Sequence, residues 1–109
     1  MKTEKTKPFQ KWFDSIKDKI LKVAVRQKIE RIEKDGYLGK TSPIGDGISE
    51  IKFKMGAGYR IYFNLYIEGS EVWLLSGGDK STQQKDIDAA KELLKEIQEK
   101  REAKKDEQI

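Results

Sequence analysis

The sequence predicts a single α+β domain in which an N-terminal helical hairpin packs on a small antiparallel β-sheet and a C-terminal helix follows. Apolar residues recur at helical spacing over residues 9–34, alternate with polar residues over 48–76, and return to helical spacing over 84–97. A length of 109 residues allows one compact core. We therefore expect one domain over residues 1–98 and a charged tail, frayed or disordered, over 99–109.

Two helices are predicted before the sheet. Residues 1–6 are polar and form either a short edge strand or a disordered start. Thr6 is placed to cap the first helix, with Pro8 in its first turn. Asp18 is placed to cap the second, and Gly36 to end it. The apolar faces of the two helices are formed by Phe9, Trp12, Phe13 and Ile16, and by Leu21, Val25, Ile29 and Ile32.

A three-stranded meander is predicted next. Residues 35–47 are rich in Gly, Ser, Thr and Pro and are expected to form a loop. The period then changes to two, which predicts strands at 48–55, 59–67 and 72–76. Gly56-Ala57-Gly58 has the composition of a three-residue turn between the first two strands.

The third helix is predicted to begin after Ser81. Ser81 and Gln84 have the spacing of a capping box. The apolar stripe of this helix consists of Ile87, Ala90, Leu94 and Ile97. We expect all three helices to lie on one face of the sheet.

The register of the first hairpin decides which side chains meet. A turn at 56–58 places Met55 opposite Tyr59, Lys54 opposite Arg60, and Lys52 opposite Tyr62. One face then carries Lys52, Lys54, Arg60 and Tyr62, and the other carries Ile51, Phe53, Met55, Ile61 and Phe63 against the helices. Like charges opposite each other destabilise a hairpin, and such conflicts are often functional. The alternative is the ordinary solvated face of a half-exposed sheet.

Charge and composition narrow the function classes. Residues 1–65 hold 15 Lys/Arg against 8 Asp/Glu, whereas residues 66–109 hold 8 against 11. The basic excess suits RNA or DNA, although it also fits an ordinary soluble surface. The chain has no Cys and no His, which excludes a thiolate nucleophile, a disulfide framework and a histidine base. We expect no metal or other cofactor, no membrane partner and a cytoplasmic location.

Two motifs carry a family resemblance. The first runs from Gly45 to Lys52 and from Gly56 through Gly58-Tyr59-Arg60 to Phe63. The second runs from Leu74 to Ile87 and contains Gly-Gly-Asp-Lys-x-Thr-Gln between strand and helix. Together they resemble the HigB-like addiction-module killer proteins of the RelE/ParE superfamily, over roughly residues 6–97. The resemblance implies a RelE-like microbial RNase fold with its active face on the sheet surface opposite the helical hairpin.

The resemblance also implies a function. Many family members cleave mRNA in the ribosomal A site, and each is restrained by a cognate antitoxin, which we expect here to carry a helix-turn-helix. The expected partners are this antitoxin, the ribosome and mRNA. Lys52, Lys54 and Arg60 match the basic positions that carry the chemistry in the RNA-cleaving members of the family, and they are the candidate catalytic residues. The candidate RNA-binding residues are Lys80, Tyr62 and Tyr66. The alternatives are a ParE-type inhibitor of DNA gyrase and a non-catalytic nucleic-acid-binding module.

The proton acceptor is the open chemical question. An ordinary lysine is protonated at neutral pH and is a poor base. Crowding by like charges favours its neutral form, which makes Lys52 or Lys54 the candidate base and Arg60 the phosphate clamp. A small domain without a deep cleft holds flexible RNA poorly, so we expect cleavage to depend on the ribosome.

Overall fold

A five-stranded sheet organises the computed structural model, which describes residues 1–68 and 70–107. Its strands are β1 (Lys2–Lys5), β2 (Ser42–Gly45), β3 (Ile48–Phe53), β4 (Tyr59–Tyr66) and β5 (Glu71–Gly78), in the order β1-β5-β4-β3-β2. β1 runs parallel to β5, and the other neighbours are antiparallel. The helices are α1 (Lys7–Ser15), α2 (Lys19–Asp35) and α3 (Gln83–Glu107). Within the described ranges, no helix combines the length and the apolar character needed to cross a membrane.

The predicted signals for the first two helices are confirmed. The Thr6 hydroxyl oxygen accepts a hydrogen bond from the Phe9 N–H at 3.2 Å. The Asp18 carboxylate accepts from the N–H groups of Ile20 and Leu21, at 2.9 and 3.2 Å. These bonds satisfy amide donors that the first turn of a helix leaves free. α2 ends at Gly36, as predicted.

The sheet is larger than the predicted meander. Of the two readings of residues 1–6, the edge strand is correct, because Lys2–Lys5 pairs with β5. The prediction of a loop over 35–47 is wrong in part, since Ser42–Gly45 forms β2. Asp46 and Gly47 join β2 to β3 with φ angles of 55° and 79°. Two consecutive positive φ angles match the twist of a hairpin, and Asp-Gly is well suited to them.

The helices cover both faces of the sheet, so the expectation of one covered face is wrong. α1 and α2 cover the face formed by Ile51, Phe53, Ile61, Phe63, Val72 and Leu74. α3 packs on the opposite face, where its residues Ala90, Leu94 and Ile97 meet Ile48, Tyr62 and Leu75. The reason is that β4 and β5 contribute large apolar side chains to both faces, and each face must be covered.

The start of α3 differs from the prediction in its capping residue. Asp79 caps a single 3₁₀ turn, Lys80–Thr82, that leads into the helix. Its carboxylate accepts hydrogen bonds from the N–H groups of Ser81 and Thr82, at 2.8 and 3.3 Å. The hydroxyl of Ser81 also donates to it, and this bond lowers the pKa of the Asp79 carboxyl. The capping box therefore joins Asp79 to Thr82, not Ser81 to Gln84.

The far end of α3 extends beyond its apolar stripe. The helix continues to Glu107, past the start of the frayed or disordered tail that the sequence predicts over 99–109. Residues 108 and 109 of that tail lie outside the described residues.

Candidate active site

A buried carboxylate between two cations forms the centre of the candidate site. It lies on the α3-facing side of the sheet, where β3 and β4 place Lys52 directly opposite Arg60. Glu50 precedes Lys52 by two residues and shares its face. A carboxylate oxygen of Glu50 lies 3.5 Å from Lys52 Nζ, and the other lies 3.6 Å from Arg60 Nε. Glu50 is 5% exposed, so both cations act on a largely desolvated charge.

The register of this hairpin differs from the predicted one by two residues. β3 ends at Phe53 and β4 begins at Tyr59, so the connection has five residues, 54–58, rather than three. Gly56 and Gly58 both have positive φ angles, 56° and 74°, a conformation that glycine adopts readily. The pairing of Lys54 with Arg60 is therefore wrong, and Lys52 takes that place.

A cleft lined by lysines borders the carboxylate on its β2 side. Its volume is about 380 Å³, and it is lined by Lys40, Ser42, Glu50, Lys52 and Lys54. Ser42 lies opposite Glu50 in the β2–β3 ladder, which brings β2 to the site. Lys54 reaches this cleft from the start of the β3–β4 connection. Three lysines around one opening form a surface suited to a polyanion.

The other border of the site is the junction between β5 and α3. Gly78 lies opposite Arg60 in the β4–β5 ladder. The Lys80 N–H donates to the carbonyl oxygen of Ala57 at 3.2 Å, which fastens the 3₁₀ turn to the β3–β4 connection. A Cβ at Gly58 would lie 3.6 Å from Lys80 Cβ and 4.0 Å from Arg60 Nη1. The start of the 3₁₀ turn, with Lys80, therefore lies against the connection that precedes Arg60, at one border of the candidate site.

Tyr62 is part of the core beneath the site. Its ring is 0% exposed and packs with Leu75 and Leu94 in the cluster under α3. Burial, together with the nearby negative charge of Glu50, raises the pKa of Tyr62 to about 12. A ring without an exposed face cannot stack on a base, so we do not retain Tyr62 as a stacking residue.

Tyr66 lies at the far end of β4, six residues from Arg60. At about 3.3 Å per residue, the two are roughly 20 Å apart along the strand. The guanidinium of Arg101 lies 3.9 Å from the Tyr66 ring centroid and covers it. The structure therefore does not bring Tyr66 to the other candidate residues.

Sequence reasoning missed Glu50, Lys40 and Ser42. Glu50 was detectable, because it alternates in phase with Lys52 and so had to share its face. The other two depended on β2, for which Asp46-Gly47 was the available signal.

Comparisons with known proteins place the fold and the family. No protein-family model matches the sequence. An uncharacterized protein of Haemophilus influenzae is 39% identical over 92 residues, which cover 84% of this chain and 91% of that protein. A chain in the crystal structure of the intact E. coli RelBE toxin–antitoxin complex superposes with a TM-score of 0.60 and 15% identity, covering 72% of this chain and 94% of that chain.

A free-state structure of a double mutant of the E. coli toxin RelE gives the same TM-score, 0.60, at 13% identity, with 80% of this chain and 94% of that chain covered. At these identities the two superpositions establish the fold alone. The chain therefore has a RelE-like α+β fold and belongs to the same family as the Haemophilus influenzae protein.

Proposed function

We propose that this chain is the toxin of a toxin–antitoxin pair and that it is an endoribonuclease acting on mRNA at the ribosome. The observation that carries the proposal is the Glu50 carboxylate held between Lys52 and Arg60 beside a lysine-lined cleft. RNA cleavage needs a proton acceptor for the 2′-hydroxyl and cations for the phosphate, and this set offers both. Two of the similar structures, a RelBE toxin–antitoxin complex and a mutant of the toxin RelE, support the proposal that the chain is a toxin.

In the proposed reaction, Arg60 and Lys52 bind the non-bridging oxygens of the scissile phosphate and stabilise the charge that develops there. Glu50 accepts the 2′-hydroxyl proton while the 2′-oxygen attacks phosphorus. Lys54 in the cleft and Lys80 at the opposite border bind neighbouring phosphates, since lysine offers a flexible point charge.

The carboxylate base replaces the lysine base that the sequence favoured. The lysine hypothesis depended on like charges crowding Lys52 and Lys54. Glu50 lies 3.5 Å from Lys52 Nζ and 3.6 Å from Arg60 Nε, so it offsets much of that repulsion. Lys52 and Arg60 are therefore better suited to hold the phosphate than to accept a proton.

Dependence on the ribosome is part of the proposal. The side chain of Lys52 is 56% exposed, and the cleft lies on the sheet surface rather than between two domains. Such a surface binds phosphate but does little to hold flexible RNA in the in-line geometry of attack. Ordered mRNA in the decoding site would supply that positioning, which is worth on the order of 7–11 kcal/mol. We accordingly place the activity in the cytoplasm, with the ribosome and mRNA as partners.

An antitoxin is the other proposed partner. One of the similar structures is a toxin–antitoxin complex. We propose that the antitoxin of this chain is encoded beside it and carries a helix-turn-helix. An acidic segment of such a partner would complement the cleft formed by Lys40, Lys52 and Lys54. Stable production of the parent protein without its partner in growing bacteria, with no growth arrest, would count against this.

The decisive experiment is brief induction in bacteria followed by sequencing of RNA 5′ ends. The parent should cut translated mRNAs within their coding regions, whereas purified protein should leave ribosome-free RNA largely intact. Glu50→Gln and Arg60→Lys should abolish cutting, and Lys105→Gln, which alters a cation beyond the far end of the sheet, should not. DNA damage without mRNA cuts would favour a gyrase inhibitor. Salt-sensitive RNA binding without cleavage would favour a binding module.

A further inference from the structure

A second carboxyl group stands on the same sheet face as Glu50, on the other side of Arg60. Asp86, in the first turns of α3, lies directly over Gly78. Gly78 is the β5 partner of Arg60, just as Lys52 is its β3 partner. The two carboxyl groups therefore lie on opposite sides of Arg60, with Glu50 on β3 and Asp86 over β5, and the backbones of these two strands are about 10 Å apart across β4.

Asp86 is fixed in this place by contacts on several sides. The Thr82 hydroxyl donates to its carboxylate at 2.5 Å. The Ser76 hydroxyl donates to its backbone carbonyl oxygen at 3.1 Å, which ties the helix to β5. The absence of a side chain at Gly78 makes the approach possible, because a Cβ there would overlap the Asp86 carboxylate and lie 2.7 Å from Thr82 Oγ1.

The surroundings of Asp86 differ from those of Glu50. Glu50 has two cationic nitrogens within 4.0 Å, whereas no lysine or arginine of the described residues forms an ion pair with Asp86. Burial raises the pKa of the Asp86 carboxyl; the bond from Thr82 opposes this, the charge of Asp79 adds to it, and Lys85 lowers it. Two carboxyls whose environments differ in this way suit the roles of acid and base.

We propose that Asp86 is the general acid that donates a proton to the leaving 5′-oxygen of the RNA. The proposal rests on the ribonuclease function proposed above. Glu50 takes the proton of the 2′-hydroxyl, the 2′-oxygen forms a bond to phosphorus, and the bond from phosphorus to the 5′-oxygen breaks. Asp86 transfers its proton to that oxygen. The products are a 2′,3′-cyclic phosphate and a free 5′-hydroxyl, with Glu50 protonated and Asp86 ionised.

The positions fit the geometry of the reaction. In-line displacement places the attacking and leaving oxygens on opposite sides of phosphorus. A phosphate held by Arg60 would have Glu50 on the β3 side and Asp86 on the β5 side. A proton donor adjacent to the leaving oxygen typically contributes about 10²–10⁴-fold to the rate.

The test compares two mRNAs in programmed ribosome complexes. One carries an ordinary phosphodiester at the cleavage site, and the other carries sulfur in place of the leaving 5′-oxygen. A thiolate leaves without a proton, so Asp86→Asn should slow cleavage of the oxygen substrate by about 10²-fold or more and leave the sulfur substrate near the parent rate. Glu50→Gln should slow both substrates. Asp88→Asn, an exposed carboxylate on the same helix, is the matched control and should slow neither.

Each outcome decides a separate point. Equal slowing of both substrates by Asp86→Asn, in protein with parental circular dichroism and melting, would overturn the acid role and leave Asp86 with a structural one. Unchanged cleavage of the oxygen substrate would overturn it outright. If the parent cleaves neither substrate while Asp86→Asn folds normally, the ribonuclease function itself is wrong, and the acid role with it.

Discussion

Truncating Arg60 should destabilise the protein mainly by leaving Glu50 without its buried partner. Glu50 is 5% exposed, and Arg60 Nε lies 3.6 Å from its carboxylate. At an effective dielectric constant of about 20, charges at that separation attract by about 4–5 kcal/mol. Removing one partner of a buried pair typically costs about 3–5 kcal/mol, in agreement with this figure. We expect Arg60→Ala to lower the free energy of unfolding by about that amount.

A double-mutant cycle isolates this pair. Once Glu50 is replaced by Gln, the loss of Arg60 leaves no buried charge behind. The double variant should therefore lose at least about 2 kcal/mol less than the sum of the two single variants. Urea denaturation, followed by the fluorescence of Trp12 and Trp73, measures all four proteins. If the two single losses in the free energy of unfolding add to within about 0.5 kcal/mol, Arg60 and Glu50 are not coupled. Lys52 and solvent would then be enough to stabilise the Glu50 carboxylate.

The remaining expectations concern three residues beneath or beside the site, Tyr62, Gly78 and Asp86. Tyr62→Phe should raise the free energy of unfolding by up to about 1–2 kcal/mol in calorimetry, because the Tyr62 hydroxyl is buried and has no hydrogen-bond partner among the described residues; a loss would show that the hydroxyl is bonded. The pKa of Tyr62 is raised to about 12 in the folded protein. The stability that the neutral phenol contributes is therefore present in full below the pKa of the unfolded state, near ~10, and should be lost as pH rises towards 12. Gly78→Ala should cost about 1–3 kcal/mol in urea denaturation, since its methyl group overlaps Asp86; unchanged stability would mean that α3 shifts freely. The pKa of the Asp86 carboxyl is raised, so the stability that its protonated form contributes is present in acid and lost as pH rises. Asp86→Asn should therefore match the parent's melting temperature in acid and exceed it at neutral pH, and a lower value at neutral pH would contradict the sign.

Local signals in the sequence were sufficient for the helical hairpin. Thr6, Asp18 and Gly36 act through contacts within a few residues of themselves, and the structure has them at the predicted ends of α1 and α2. The alternation over β3 and β4 likewise separated the core-facing side chains from the site-facing ones. Because these features depend on residues that are close together in the sequence, composition and spacing are enough to predict them.

The predictions that were wrong concern features that depend on contacts between distant segments of the chain. The connection in the first hairpin has positive φ angles at Gly56 and Gly58, and Ala57 between them accepts a hydrogen bond from Lys80. Because Lys80 lies outside the hairpin, the residue spacing within the hairpin could not predict this contact. The placement of α3 on the second face depends on which side of β5 it crosses. Glu50 could have been assigned to the site from its phase with Lys52, but its burial and its ion pairs could not.

The close approach at the end of β5 has an evolutionary consequence. Gly77 leaves room for Trp12, since a Cβ there would overlap the indole, and Gly78 leaves room for Asp86 on the opposite face. Each glycine is thereby linked to a bulkier residue in a helix, Gly77 to Trp12 in α1 and Gly78 to Asp86 in α3. Among homologues, a side chain at the position of Gly78 should appear only together with a smaller residue in place of Asp86, and likewise for Gly77 and Trp12. The two pairs should vary independently of each other, because one lies on each side of the sheet.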